Sequence, residues 1–170
     1  MVPRPLLALA ALAASGACAH RAVPPSWAAR AELPFVALTL DGERVVVGGP
    51  GPPRLVEVWA TWCAPCGPAA ERARAVLARH PRVAAYAVSV DEDRAALEQR
   101  LAERPPPGRP LVLPGGPAAA ARRGLRDFPT FLALDARGRL VGVEVGLSPG
   151  LGPRLDRMLR HAEGLVGEGE

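Results

Sequence analysis

The 170-residue chain contains no lysine, no isoleucine and no asparagine, and aromatic residues make up only 4% of it. With those residues missing or scarce, the core has to be built from leucine, valine and alanine, and the 49% hydrophobic content is enough to build one domain. Every basic side chain other than histidine is an arginine. That skew, with 20 Pro and 18 Gly, marks a chain-wide compositional bias, so proline and glycine punctuate loops less sharply here than usual. No basic run interleaved with aromatics occurs. The arginines alternate instead with acids (Asp91, Glu92, Asp93, Arg94, Glu98, Arg100, Glu103, Arg104), which reads as a solvated surface. The formal net charge of +4 therefore does not point to nucleic acid. No internal repeat is present.

Cysteine is scarce too, and its three positions are informative: Cys18, Cys63 and Cys66. Cys18 belongs to the leader, which leaves Cys63 and Cys66 with only each other. This C-x-x-C pair follows an apolar run (Leu55, Val56, Val58, Trp59) and precedes a helical, alanine- and arginine-rich segment at residues 69–80. It therefore falls where a buried strand ends and a helix begins. A helix N-terminus offers unpaired N–H groups and the positive end of the macrodipole, which stabilise a thiolate. The thiolate is the attacking species in thiol–disulfide exchange. Other uses of the pair lack supporting residues. Structural zinc needs four ligands, and His80 and His161 come without a second paired motif. Haem attachment needs a histidine after the second cysteine, where Gly67 stands. A purely structural disulfide would close too small a loop to constrain much. His80 reads as a helix-end cap and His161 as a residue of the last helix, neither in the site.

Taken in order, residues 1–19 read as an export signal. Arg4 supplies the positive start, and the apolar run at residues 6–14 is too short to span a bilayer as a helix. Two exits fit: ordinary cleavage before His20, or lipoprotein-type cleavage that leaves Cys18 as a lipidated first residue and membrane anchor. Either route implies an extracytoplasmic protein of the periplasm or cell envelope, where disulfide chemistry is expected. Residues 20–32, with Trp27, form a tether, residues 33–166 the domain, and residues 167–170 a tail. A hairpin is expected from the two apolar runs around Asp41-Gly42. Residues 54–60 read as a buried strand with one anomaly, Glu57, since a carboxylate in a core strand is costly without a task or partner. Residues 64–80 hold a helix, 83–90 a second buried strand, and 91–104 a helix with acids in its first turn. Residues 105–110 are a connector, 111–113 a short strand, and 117–123 one or two helical turns. Pro129 must sit at the first residue of the next strand, because it cannot donate to a ladder. A turn, a returning strand at 139–145 and an amphipathic helix marked by Leu151, Leu155, Met158, Ala162 and Leu165 close the chain. The fold class is α/β, a mixed central sheet flanked by helices on both faces, with an N-terminal hairpin.

Trp-Cys-Ala-Pro-Cys-Gly-Pro after an apolar strand, with Phe-Pro-Thr before a later hairpin, resembles thioredoxin. The export signal, the hairpin with Leu-Asp-Gly, and Trp-Ala-Thr-Trp-Cys resemble its extracytoplasmic TlpA/ResA-like branch, which includes reductases serving cytochrome c maturation. The resemblance implies a thioredoxin fold and a protein-disulfide oxidoreductase that needs no cofactor beyond its redox-active disulfide. It implies that Cys63 is the exposed nucleophile and Cys66 the buried resolving thiol. Pro129 would be the cis-proline facing the thiols, and Phe128 would offer backbone groups to a substrate strand. Trp62 would shield the pair, and Pro65 would fix the turn between the thiols. Glu57 would exchange a proton with Cys66. Ala64 and Pro65 bring no charge or donor side chain, so a reductant is expected, with exported disulfide proteins as substrates and a membrane thiol carrier as electron donor. The alternative from another class is a thioredoxin-fold metal-binding (copper chaperone-like) or docking module using the same thiols.

Overall fold

The computed structural model describes residue 31 and residues 33–165. The export signal, Cys18, the rest of the tether and the tail lie outside the described residues. Seven strands form one mixed sheet in the order β2-β1-β5-β4-β3-β6-β7. Strand β3 (Arg54–Trp59) lies inside the sheet, and every residue in it is buried. A strand buried on both faces reads as a nearly continuous apolar run, as this one does apart from Arg54 and Glu57. It pairs in parallel with β4 (Ala84–Ser89) and antiparallel with β6 (Thr130–Leu134). Strand β5 (Arg109–Val112) extends the parallel block, and β7 (Leu140–Val145) closes the far edge as a hairpin with β6. At the other edge β1 (Phe35–Leu38) pairs antiparallel with β2 (Arg44–Val47) and meets β5 at Leu38 and Val112.

The alanine- and arginine-rich segment after the cysteines has the composition of a strong helix former. It becomes α1 (Cys66–Leu77), burying Cys66, Ala69, Ala73 and Val76 at helical spacing. Helix α4 (Leu151–Ala162) lies against it and buries Leu151, Leu155, Leu159 and Ala162. With Leu55, Phe131 and Ala133 these residues form one core cluster. The larger cluster joins Val56, Val58, Leu132 and Leu134 to Leu97 of α2 (Arg94–Glu103) and to Ala119 and Ala120 of α3 (Gly116–Arg122). Right-handed crossovers from β3 to β4 and from β4 to β5 run the same way along the sheet, so α1 and α2 share a face. Arg74 of α1 donates at 2.6 Å to the carbonyl of Pro105, just past the end of α2.

Several sequence expectations are adjusted. Helix α2 opens at Arg94, and the acids precede it: Asp93 is the N-cap, accepting from the Ala96 N–H at 3.0 Å. Strand β5 starts inside the expected connector, because Pro110 pairs in register with Ala87. Pro129 stands one residue before β6 rather than within it. Helix α4 stops at Ala162, leaving Leu165 exposed, and Leu159 takes the buried position. His80 is not a helix cap. It is buried, with Nδ1 at 2.6 Å from Glu163 Oε2 and Nε2 at 3.3 Å from Asp156 Oδ1, so it ties the end of α1 to α4.

Asp91, the first acid of the expected solvated run, is 7% exposed and organises the loop after β3. Its carboxylate accepts from the Thr61 N–H, from the Thr61 hydroxyl at 2.6 Å and from the Ser89 hydroxyl at 2.7 Å. It thereby fixes the stretch that leads into Trp62 and Cys63. Asp91→Ala leaves these donors unpaired and should lower stability by roughly 2–4 kcal/mol, with Asp91→Asn recovering part of it. Denaturant unfolding of the oxidised protein measures this; a loss below about 0.5 kcal/mol would contradict the role.

Candidate active site

The two thiols are joined: Cys63 and Cys66 form a disulfide at the junction of β3 and α1. The turn is compact, with Cys63 N–H donating to Ala60 O at 3.2 Å and Cys66 N–H to Cys63 O at 3.1 Å. Cys66 is the first residue of α1, and Pro65, its N-cap, supplies a φ of −72°. Proline's ring fixes this dihedral, so the turn enters the helix pre-formed. Cys66 is 2% exposed. Cys63 is only 9% exposed, which corrects the expectation of an openly exposed nucleophile. In the disulfide state it belongs to the same buried cluster as Trp59, Ala60 and Cys66. Exposure passes to the neighbouring Trp62, at 62%.

The opposite wall comes from the segment before β6. Val58 pairs with Thr130, which brings Phe128 and Pro129 beside the end of β3. The Phe128–Pro129 peptide bond is cis. The segment is anchored on both sides: Thr130 Oγ1 donates to Asp127 O at 2.6 Å, and Gly146 N–H to Pro129 O at 2.7 Å. The Trp62 and Phe128 rings meet edge to face, with centroids 5.8 Å apart and planes at 74°. That is a favourable aromatic geometry. The cysteine turn and the proline loop are thus in direct contact.

Behind the disulfide lies a cavity of about 230 Å³ lined by Glu57, Trp59 and Cys66, by the first turns of α1, and by Arg100 and Arg104 of the α2 end. Glu57 is 3% exposed. Burial pushes its carboxyl up to about 8, against a smaller downward pull from Arg100 and then Arg74. Glu57 Oε2, Trp59 Nε1 and Arg100 Nε are buried and have no hydrogen-bond partner among the described residues. All three belong to residues lining this cavity. Orphaned buried polar atoms call for a reason, and a cavity of this size with such atoms in its wall has room for water to serve them. Glu57 and Cys66 thus line the same cavity.

Of the residues the sequence singled out, Cys63 and Cys66 are bonded with Pro65 between them, Trp62 meets Phe128 beside the cis bond to Pro129, and Glu57 shares a cavity with Cys66. Two further contributors, Asp91 and Arg100, read in the sequence as surface charges. Asp91 carried one faint signal, its place directly after a buried strand. Arg100 carried none. Among the described residues, no three His, Cys, Asp or Glu side chains gather as metal ligands.

No protein-family model and no curated protein matches the chain. Solved structures do. DsbF of Mycobacterium tuberculosis (MTB), in mixed oxidised and reduced forms, is 25% identical with a TM-score of 0.63, over 78% of this chain and 98% of its own. The thiol:disulfide interchange protein DsbE from Chlorobium tepidum is 22% identical with a TM-score of 0.62, over 78% of this chain and 94% of its own. A secreted Mycobacterium tuberculosis disulfide oxidoreductase homologous to E. coli DsbE is 21% identical with a TM-score of 0.58, over 75% and 95%. The chain has the thioredoxin fold. The expectation of a thioredoxin-like protein-disulfide oxidoreductase agrees with these neighbours.

Glu57 gives the site a pH signature in stability. The carboxyl ionises near 4.5 in an unfolded chain and at about 8 in the folded one. As pH rises through that window the unfolded chain loses the proton first, so the folded state is progressively disfavoured. The slope is about 1.4 kcal/mol per pH unit, flattening above the folded value. Glu57→Gln should lack this slope and gain on the wild type as pH rises. Urea unfolding of both oxidised proteins across the window checks it; parallel pH profiles would contradict the assignment.

Proposed function

We propose that the chain is an exported thiol–disulfide oxidoreductase that reduces disulfides of exported proteins, with Cys63 as nucleophile and Cys66 as resolving thiol. The observation that carries this reading is the Cys63–Cys66 disulfide at the head of α1, with a buried carboxyl facing the same cavity as Cys66. The Cys63 thiolate attacks a substrate sulfur. A mixed disulfide forms, and the substrate's other sulfur leaves as a thiolate that takes a proton from solvent. Cys66 then attacks Cys63 Sγ, its proton passes to the Glu57 carboxylate, and the second substrate sulfur leaves. In recharging, a donor dithiol attacks Cys63 and the protonated Glu57 delivers a proton to the departing Cys66. Glu57 acts as base in one direction and acid in the other, as a carboxyl raised toward neutral pH can.

Recognition follows from the surrounding surface. Phe128 offers backbone to an extended substrate segment as an added strand, held in place by the cis bond to Pro129. Trp62 and Phe128 supply an apolar, partly exposed edge beside Cys63, and Pro65 holds the thiol spacing. The direction of flow is read from Ala64 and Pro65. Strong oxidants stabilise their reduced thiolate, and these side chains bring neither charge nor donor to do so. The export reading rests on the leader at residues 1–19 and on the secreted mycobacterial structure of the same fold. A lipid on Cys18 would hold the domain at the membrane that supplies a thiol donor, with cytochrome c maturation as one client process. No described helix is long and apolar enough to cross a membrane.

Cys66→Ser should accumulate a mixed disulfide on Cys63 with exported substrates, and Cys63→Ser should accumulate none; mass spectrometry of the trapped adducts reads both. Glu57→Ala should slow resolution of the mixed disulfide by about 100-fold or more near neutral pH, while Cys63 alkylation changes little. Turnover unchanged from about pH 6 to about pH 9 would remove Glu57 from the mechanism.

A further inference from the structure

The cavity behind the disulfide poses a charge problem that the sheet does not solve. Glu57 has Ala87 beside it on β4 and Phe131 on β6, both uncharged. Once Glu57 has given its proton to Cys66 it is a buried anion, which is costly without an opposite charge nearby. The charged groups lining the cavity come from the helices: Glu71 of α1, and Arg100 and Arg104 of the α2 end. Arg74 of α1 acts on Glu57 from farther off. Arg74 is already committed, donating to Pro105 O at 2.6 Å and standing 3.4 Å from Glu71 Oε2. Arg104 is exposed.

Arg100 differs from both. It is half-buried, its Nε has no hydrogen-bond partner, and no carboxylate pairs with it at ion-pair distance among the described residues. Its guanidinium reaches the head of α1: a Cβ on Gly67 would come within 3.1 Å of Arg100 Nη2. Gly67, directly after Cys66, leaves the room that this arginine occupies. One cation from α2 therefore stands beside the resolving cysteine's helix turn and in the same cavity as the buried acid.

We propose that Arg100 is a positioning residue of the redox site, the counter-charge for the Glu57 carboxylate while the proton resides on Cys66. This rests on the reading of Glu57 as the proton carrier. Arg100 touches neither substrate nor the reacting sulfurs; it acts by making the ionised state of Glu57 tolerable. It also pulls Glu57's ionisation down against burial more strongly than Arg74 does. Losing it should leave Glu57 protonated to higher pH and narrow the range in which Glu57 can accept a proton from Cys66.

The test follows Glu57 directly by NMR of the full chain labelled with ¹³C in its glutamate carboxyls, oxidised and reduced, with Glu57→Gln assigning the signal. Arg100→Gln should move the Glu57 titration upward by about one pH unit or more. It should slow mixed-disulfide resolution about tenfold near pH 7 and shift that step's pH profile to the alkaline side by the same interval. Arg100→Lys should restore most of both, because charge rather than shape is required. Arg94→Gln, which removes an α2 arginine paired with Glu98, should move neither. If Arg100→Gln leaves the Glu57 titration in place, or Arg100→Lys fails to restore it, the counter-charge role is overturned. If instead Glu57→Gln resolves mixed disulfides at the wild-type rate, the proton-carrier reading fails, whatever Arg100 does to the titration.

Discussion

Strand β3 is held between β4 and β6, and the antiparallel ladder from Arg54 and Leu134 to Val58 and Thr130 decides where everything at the site falls. Side chains alternate faces along a strand, so a slip of one residue would turn Glu57 away from α1 and bury Val56 or Val58 in its place. The same slip would carry Phe128 and Pro129 out of reach of Trp62. With the register as it stands, one strand delivers the buried acid from its middle and the cysteine turn from its end. Its neighbour delivers the proline wall. Burial of every β3 residue makes this register expensive to break.

Packing and chemistry meet at Glu57. The sheet gives it no charged neighbour, the helices above leave a cavity, and burial holds its proton near neutral pH. That arrangement costs stability above the pH where an unfolded glutamate ionises. A well-packed apolar residue at this position would remove the cost. The carboxyl is intelligible as a functional group whose proton has somewhere to go, since Cys66 faces the same space. Both right-handed crossovers place their helices on this face, which lets α1 carry the thiol while α2 carries the cation.

Much of this was legible in the chain. The C-x-x-C at the close of an apolar run, the helix-forming segment behind it and the carboxylate inside a core strand each have local signals. Proline at the mouth of β6 has one too. The thioredoxin fold follows from the resemblance those signals carry, while the edge-to-face meeting of Trp62 with Phe128 shows only in the folded chain. What was not legible depends on distant contacts. Asp91 and Arg100 sit in an alternating charge pattern that elsewhere stays in solvent, as Arg94 and Glu98 do. Only the folded chain shows that Asp91 turns back to hold Thr61 and that Arg100 crosses to Gly67. His80 likewise ends a helix, as a cap would, yet its partners Asp156 and Glu163 come from the last helix. The near-burial of Cys63 goes with its place in the core cluster, which C-x-x-C spacing does not specify.

On the proposed reading Cys63 and Cys66 form a reversible dithiol poised on the reducing side. Equilibrating the full chain with graded glutathione buffers and following the fluorescence of Trp59 and Trp62 tests it most directly. One two-electron transition is expected between roughly −180 and −280 mV, the span from protein disulfide isomerase to thioredoxin. A transition near about −120 mV, where a strong oxidant lies, or a disulfide that no buffer opens, would contradict it.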